Sequence, residues 1–177
     1  MLAELQPHPD TPCAAIESLD IELRRSAGGM LSLTWRILGS VDVLRIPDPA
    51  AAIRTDDLWR HMCFETFVHT AGEGYREYNL SPSSAWAAYA FQAYRGGMTA
   101  LSCAAPPIET RSSPDMFELH ASIDLADLPA GPARRIGLSA VIEDRDGALS
   151  YWALAHPPGR PDFHHEDCFA LQLPPAG

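Results

Sequence analysis

Residues 30–38, Met-Leu-Ser-Leu-Thr-Trp-Arg-Ile-Leu, decide the fold. Leu31, Leu33, Trp35 and Ile37 alternate with Ser32, Thr34 and Arg36. A period of two sends one set of side chains into a core and leaves the other wet, the pattern of a half-buried strand. Phe117, Leu119, Ala121 and Ile123 repeat it, and so do Ile136, Leu138, Ala140 and Ile142. Turn chemistry separates these runs: Gly28-Gly29 before the first, Pro114-Asp115 before the second, Pro129 through Pro132 before the third. Asp144-Arg145-Asp146-Gly147 has the composition of a tight hairpin, and Ala71-Gly72-Glu73-Gly74 joins strand-like residues 61–68 to 75–80.

The spacing predicts strands over 17–25, 30–38, 41–46, 60–69, 74–81, 85–94, 107–112, 116–124, 135–143, 148–155 and 167–173. The alanines of 85–94 also suit a short helix, but its four aromatics and the flanking Ser-Pro and Gly-Gly turns favour a strand. Many short strands at regular spacing point to an all-β, single-domain antiparallel β-sandwich, immunoglobulin-like or jelly-roll-like, of about ten strands. The domain is expected over 17–177, with 1–16 as an N-terminal extension.

Composition narrows the function. The chain has 177 residues, 46% of them hydrophobic and 20% charged, enough apolar material for one core. Its 23 acidic residues against 13 basic ones, all Arg, leave a net charge of −10. Such a surface repels phosphate backbones, so nucleic acid is not an expected partner. The longest apolar run, residues 85–91, is far too short to span a bilayer, and residues 1–10 lack the pattern of an export signal. Cys13, Cys63, Cys103 and Cys168 are scattered without a paired motif and read as free thiols. A cytoplasmic protein with no membrane partner is expected.

Dinucleotide, P-loop, nucleophile-elbow and zincin motifs are missing. Four polar clusters remain. In Trp59-Arg60-His61-Met62-Cys63-Phe64-Glu65, an extended chain would put Trp59 and Glu65 on one face, where a carboxylate needs a partner or a cavity. Tyr75, Glu77 and Asn79 share a face of the next strand, and Glu77 is expected close to Glu65. That pair needs an Arg, a shared proton or a ligand, and it also suggests a hydrolase using Glu65 and Glu77. Trp86, Tyr89, Phe91, Tyr94, Tyr151 and Trp152 with His156 supply rings of the kind sugars stack on, although most aromatics in a chain this size are core. Asp162-Phe163-His164-His165-Glu166-Asp167 suggests a metal site, but adjacent residues on an extended chain point apart, so no metal is expected.

The run from Trp59 to Glu65, followed by Tyr75-Arg76-Glu77-Tyr78-Asn79-Leu80-Ser81-Pro82, resembles the signature of the DOMON-like and family 9 carbohydrate-binding-module superfamily. The segment Tyr151-Trp152-Ala153-Leu154-Ala155-His156-Pro157 with Asp162-Phe163-His164 is similar to that family's closing segment. The likeness is strongest to stand-alone bacterial DOMON-like proteins. It implies a β-sandwich that binds sugar or haem and does not catalyse. In the sugar-binding members two Trp rings sandwich a sugar and a Glu bonds its hydroxyls, which carries over to Trp59, Trp152 and Glu65. The expected ligand-binding set is therefore Trp59, Glu65, Glu77, Asn79, Trp86, Trp152 and His156, for a small molecule, foremost a sugar. No cofactor is expected; the alternative, haem, would draw axial ligands from Met62, Met98, His61 and His164. A structural or interaction domain with a buried polar network is the remaining alternative. Far-UV circular dichroism of the purified protein should show a β-type spectrum without paired helical minima.

Overall fold

In a computed structural model that describes residues 1–70, 72–128 and 134–173, twelve strands pair antiparallel into two layers that share one strand. They are β1 (Leu2–Pro7), β2 (Ile16–Arg25), β3 (Met30–Gly39), β4 (Cys63–His69), β5 (Tyr75–Leu80), β6 (Trp86–Phe91), β7 (Thr99–Ala100), β8 (Ile108–Ser113), β9 (Met116–Asp124), β10 (Arg135–Glu143), β11 (Leu149–Ala153) and β12 (Leu171–Gln172). One layer runs β1-β2-β3-β9-β8; the other runs β7-β6-β5-β4-β10-β11-β1, with β12 on β10. Residues 2–5 of β1 pair with β2, and Gln6 and Pro7 pair with β11, so β1 closes the two layers along one edge.

The alternating residues fill the space between the layers. Leu31, Leu33, Trp35 and Ile37 of β3 and Phe117, Leu119, Ala121 and Ile123 of β9 meet Phe64, Val68, Leu80, Trp86, Leu138 and Trp152 from the other layer in one cluster. Phe64 bridges the layers, 5.6 Å from the Trp35 ring and 6.0 Å from Phe117. The two layers differ on their outer faces. The first leaves Thr34, Arg36, Glu118 and His120 facing water, with Arg36 2.7 Å from Glu118. The second is covered again: Phe67, Tyr75, Phe91, Val141 and Ala153 pack under Phe163 and Phe169 of a C-terminal strap, residues 154–170. Near-continuous burial along β4 and β10 follows from this double cover.

Turn residues fix the register. Between β10 and β11, Asp144 Oδ1 accepts from the backbone N–H of Asp146 and Ala148, and Gly147 takes a φ of +83° that other residues avoid. At Gly29, before β3, a Cβ would stand 2.8 Å from the Ala126 Cα, so no side chain fits there. The expected turn at Pro129 through Pro132, and Ala71 of the β4–β5 connection, lie outside the described residues.

Several boundaries differ from the sequence expectations. Residues 1–16 are not a bare extension, because they carry β1, whose Leu5 is buried in the core. Residues 41–46 form a 3-10 turn over Val41–Val43 and a single bridge from Leu44 to Asp144, since Pro47 and Pro49 remove the donors a longer strand would need. β4 starts at Cys63, with a 3-10 turn over Leu58–Arg60 ahead of it. The segment 167–173 splits into a 3-10 turn over Glu166–Cys168 and the short β12. Residues 86–91 are a strand, which settles the helix alternative. No helix among the described residues is long and apolar enough to cross a membrane.

Trp152 is 4% exposed inside the sandwich, while Trp59 on its 3-10 turn is 47% exposed. Replacing Trp152 by Ala should cost ~3–5 kcal/mol, lowering the melting temperature by roughly 10 °C for a chain this size. Trp59→Ala should change stability by less than about 0.5 kcal/mol. Paired thermal melts check both.

Candidate functional site

The outer face of the second layer carries a polar row. Ser139 on β10 lies opposite Glu65 on β4, and Glu65 lies opposite Asn79 on β5. Paired residues share a face, so all three point away from the sandwich core and under the strap side of the sheet. Glu77, two residues before Asn79, joins them, with Tyr89 of β6 opposite it. Glu65 is 3% exposed and Asn79 1%. Asn79 Nδ2 donates to Glu77 Oε1 at 2.7 Å. Glu65 Oε1, Asn79 Oδ1 and Ser139 Oγ are fully buried and complete no hydrogen bond. Buried polar atoms in folded proteins are nearly always satisfied, so three open ones in a single row are unusual.

Two rims border this floor. On one side, the Tyr89 hydroxyl donates to Asp56 Oδ1 at 2.6 Å, which ties the segment before the Leu58–Arg60 turn to the outer face of β6. That turn packs against β4 and β5 and holds the Trp59 indole in solvent, with the Arg60 guanidinium 5.2 Å from the ring centroid. On the other side, Asp162 of the strap accepts from Tyr94 at 2.5 Å and from Arg95 Nη2 at 2.7 Å. Beneath them His164 sits among Phe67, Tyr75 and Phe91, at ring distances of 5.2, 5.7 and 5.2 Å. Asp57 and Arg95 hold left-handed backbone at φ 61° and 50°, a strained setting for residues with side chains. One sits on each rim.

The electrostatics follow from burial. Desolvation, reinforced by the nearby Glu77, holds the Glu65 carboxyl well above the usual range; Ser139 comes near enough to oppose this without closing a hydrogen bond of proper geometry. Burial pushes Glu77 up to about 7, against the pull of Asn79 and Arg95. Burial also lowers His164 to about 4, helped by Arg95, so its ring is neutral at pH 7. The Tyr75 hydroxyl accepts from the Arg95 N–H at 3.1 Å and meets His164 Nδ1 at 2.7 Å. If Tyr75 donates to Nδ1, the His164 proton sits on Nε2, which faces Glu77 Oε2 at 3.8 Å.

The structure brings Glu65, Glu77 and Asn79 together and separates the other residues singled out from sequence. Trp59 is not on the strand with Glu65, so their shared face does not arise from strand alternation. Trp152 lies opposite Ala140, and Ala140 opposite Phe64, which puts its ring between the layers with Nε1 donating to Ser150. It cannot form a second stacking wall beside Glu65. Trp86 is likewise a core ring, with Arg54 5.2 Å over it. His156 lies past the end of β11, so it shares no strand face with Trp152; it meets the Gln6 carbonyl at 2.8 Å, and its ring meets His8 edge-on at 5.0 Å. Sequence reasoning missed Ser139 and Arg95. Ser139 interrupts an apolar run in the outward phase, and Arg95 precedes Gly96-Gly97; both signals were legible. The named haem-ligand candidates scatter: Met62 is in the core, His61 binds Glu143 at the surface, Met98 is exposed and His164 is enclosed by rings. Among the described residues no three His, Cys, Asp or Glu side chains gather as a metal ion would require.

No family model matches the chain, and no curated protein matches it. Its fold is similar to those of several solved structures, among them the following two. A candidate carbohydrate-binding protein from Bacteroides uniformis superposes with a TM-score of 0.65 at 13% identity, over 95% of this chain and 83% of that one. A family 9 carbohydrate-binding module from Caldicellulosiruptor kristjanssonii, in complex with glucose, superposes with a TM-score of 0.50 at 11% identity, over 88% and 76%. At these identities the likeness establishes a shared sandwich fold.

The buried titrating groups give stability a two-sided dependence on pH. Glu77, raised from 4.5 to about 7, stabilises the fold fully below pH 4.5, and that contribution is lost as pH rises through 7; Glu65 acts with the same sign. His164, lowered from 6.5 to about 4, stabilises above pH 6.5 and loses its contribution as pH falls through 4. The melting temperature should therefore peak between these limits. Glu77→Gln should flatten the alkaline side and leave the acid side unchanged, as read by melts across the pH range.

Proposed function

We propose that this protein is a non-catalytic carbohydrate-binding sandwich whose site is the outer face of β4, β5 and β6. The observation that carries the reading is the row of Ser139, Glu65 and Asn79, with three buried polar atoms left open beside Glu77. A sugar is the kind of ligand that answers such a row, because its hydroxyls both donate and accept at closely spaced points. Trp59 supplies an exposed ring for the apolar face of a pyranose, and Tyr94 stands on the opposite rim, so the sugar lies over Tyr89 with its polar edge toward Glu77 and Asn79. The strained backbone at Asp57 and Arg95 fits a clamp held ready on both sides. The fold shared with the carbohydrate-binding neighbours supports the same ligand class.

Binding fits this arrangement better than hydrolysis. A glycosidase needs carboxyl groups on both sides of the scissile bond. Glu65 and Glu77 stand side by side on one sheet face and would approach a sugar from the same side. The separated haem-ligand candidates likewise favour a cofactor-free protein. Mono- and disaccharides screened by calorimetry should yield a binder with a Kd in the micromolar to millimolar range, on the order of 4–8 kcal/mol. Trp59→Ala should weaken that binding by about ten-fold or more while leaving the melting temperature nearly unchanged. Haemin should give no protein-dependent Soret band. An empty sugar screen would overturn the proposal.

A further inference from the structure

Resting on the carbohydrate reading of this site, we infer that its preferred sugar carries a free primary amine. The floor is rich in acceptors and poor in donors. Glu65 Oε1 and Asn79 Oδ1 are buried acceptors that close no hydrogen bond, with the Ser139 hydroxyl near Glu65, and Glu77 Oε2 has the His164 Nε2 at 3.8 Å. Apart from a proton held on the carboxyls themselves, the one open donor in the row is the Ser139 hydroxyl. Asn79 Nδ2 is already directed at Glu77, and the Arg95 guanidinium is directed at Asp162. A hydroxyl group brings one donor, so it serves one of the three acceptors, and its lone pairs are answered only by a proton kept on the carboxyls. An ammonium brings three donors and no lone pair, which matches Glu65, Glu77 and Asn79 one for one.

Charge points the same way. The titratable and charged groups facing the floor are Glu65, Glu77, Cys63, Tyr75 and Tyr89 from the sheet, Arg95 and Asp162 from the rim, His164 from the strap and Asp56 beside Tyr89. Arg95 is offset by Asp162 at 2.7 Å, and His164 is neutral at pH 7. Two carboxyl groups remain without a cation at bonding distance; burial raises both, and Glu77 raises Glu65 further. A bound ammonium supplies the missing positive charge. The proton then leaves the Glu65–Glu77 pair for the buffer, while the amine enters already protonated and keeps its own proton. A neutral sugar offers no charge to displace that proton. An N-acetylated sugar has one amide N–H and a carbonyl oxygen, a further acceptor facing acceptors.

The test is calorimetry of the full chain at about pH 6.5, near the raised Glu77 value, with glucosamine, glucose and N-acetylglucosamine in two buffers of different ionisation enthalpy. Glucosamine is expected to bind roughly ten-fold tighter than either analogue, as a charge-assisted contact in place of a neutral one would give. It should also release a fraction of a proton that glucose does not release. Glu77→Gln should abolish both differences; the proton count on the unaltered protein stands even if that variant does not fold. Equal affinity for the three sugars, or no differential proton release, would overturn the amine preference and leave the carbohydrate reading standing. Binding of none of the three, together with an empty wider screen, would overturn both.

Discussion

Glu65 lies in the middle of a sheet that is apolar above and below. Phe64 and Val68 on the same strand turn into the sandwich, and Phe67 turns outward under Phe169. A carboxyl in such a place is costly unless it is neutral or partnered. It lacks a cation at bonding distance and has a second carboxyl, Glu77, diagonally across the strand pair. The surrounding residues are arranged around that difficulty. Asn79 directs its amide at Glu77, Ser139 lies beside Glu65, and the guanidinium of Arg95 stands close enough to ease both carboxyls while it is held by Asp162.

The strap gives this polar row its enclosure. Its aromatic residues pack on the sheet, and its backbone is tied down from both ends of the sandwich: Arg135 donates to the carbonyls of Glu166 and Phe169, and His8 meets the carbonyl of Gly159 at 2.9 Å. Tyr75 and Phe91, stacked at 4.7 Å, wall off His164 from water and keep its ring uncharged. A charged histidine there would be desolvated without a bonded counter-ion. The second apolar layer thus sets the protonation state of the residues beside it, and through them the polarity of the candidate site.

Much of the fold was legible in the sequence because strand periodicity is a local property. β2, β3, β9 and β10 fall within a residue of the boundaries read from alternation. The hairpin at Asp144 through Gly147 followed from turn chemistry alone. The pairing of Glu65 with Glu77 and Asn79 was also readable, since a short connection fixes the register of neighbouring strands. The errors have separate causes. Whether Trp152 faces the core or the ligand depends on which face of its sheet is covered, and both faces of this one are buried. Trp59 was misplaced because six residues of spacing imply a common face only if the chain stays extended, and the Leu58–Arg60 turn breaks it. β1 was missed although residues 2–5 pair with the next strand, β2; only its pairing with β11, through Gln6 and Pro7, lies far away in the chain.

That last feature bears on how the molecule comes to exist. β1 is made well before β11, yet the bonds that let it join the two layers depend on β11 and the segment beyond it; Gln6 receives the His156 ring 150 residues later. During synthesis β1 must wait, paired at most with β2, until β11 and the segment that follows it have emerged. Loop-closure entropy opposes such distant contacts, so the seam along β1 is the natural last step of folding. Until it closes, β11 and the far side of β1 each present an unpaired edge. The nascent chain is therefore most exposed to strand-mediated association in the interval before β11 closes on β1.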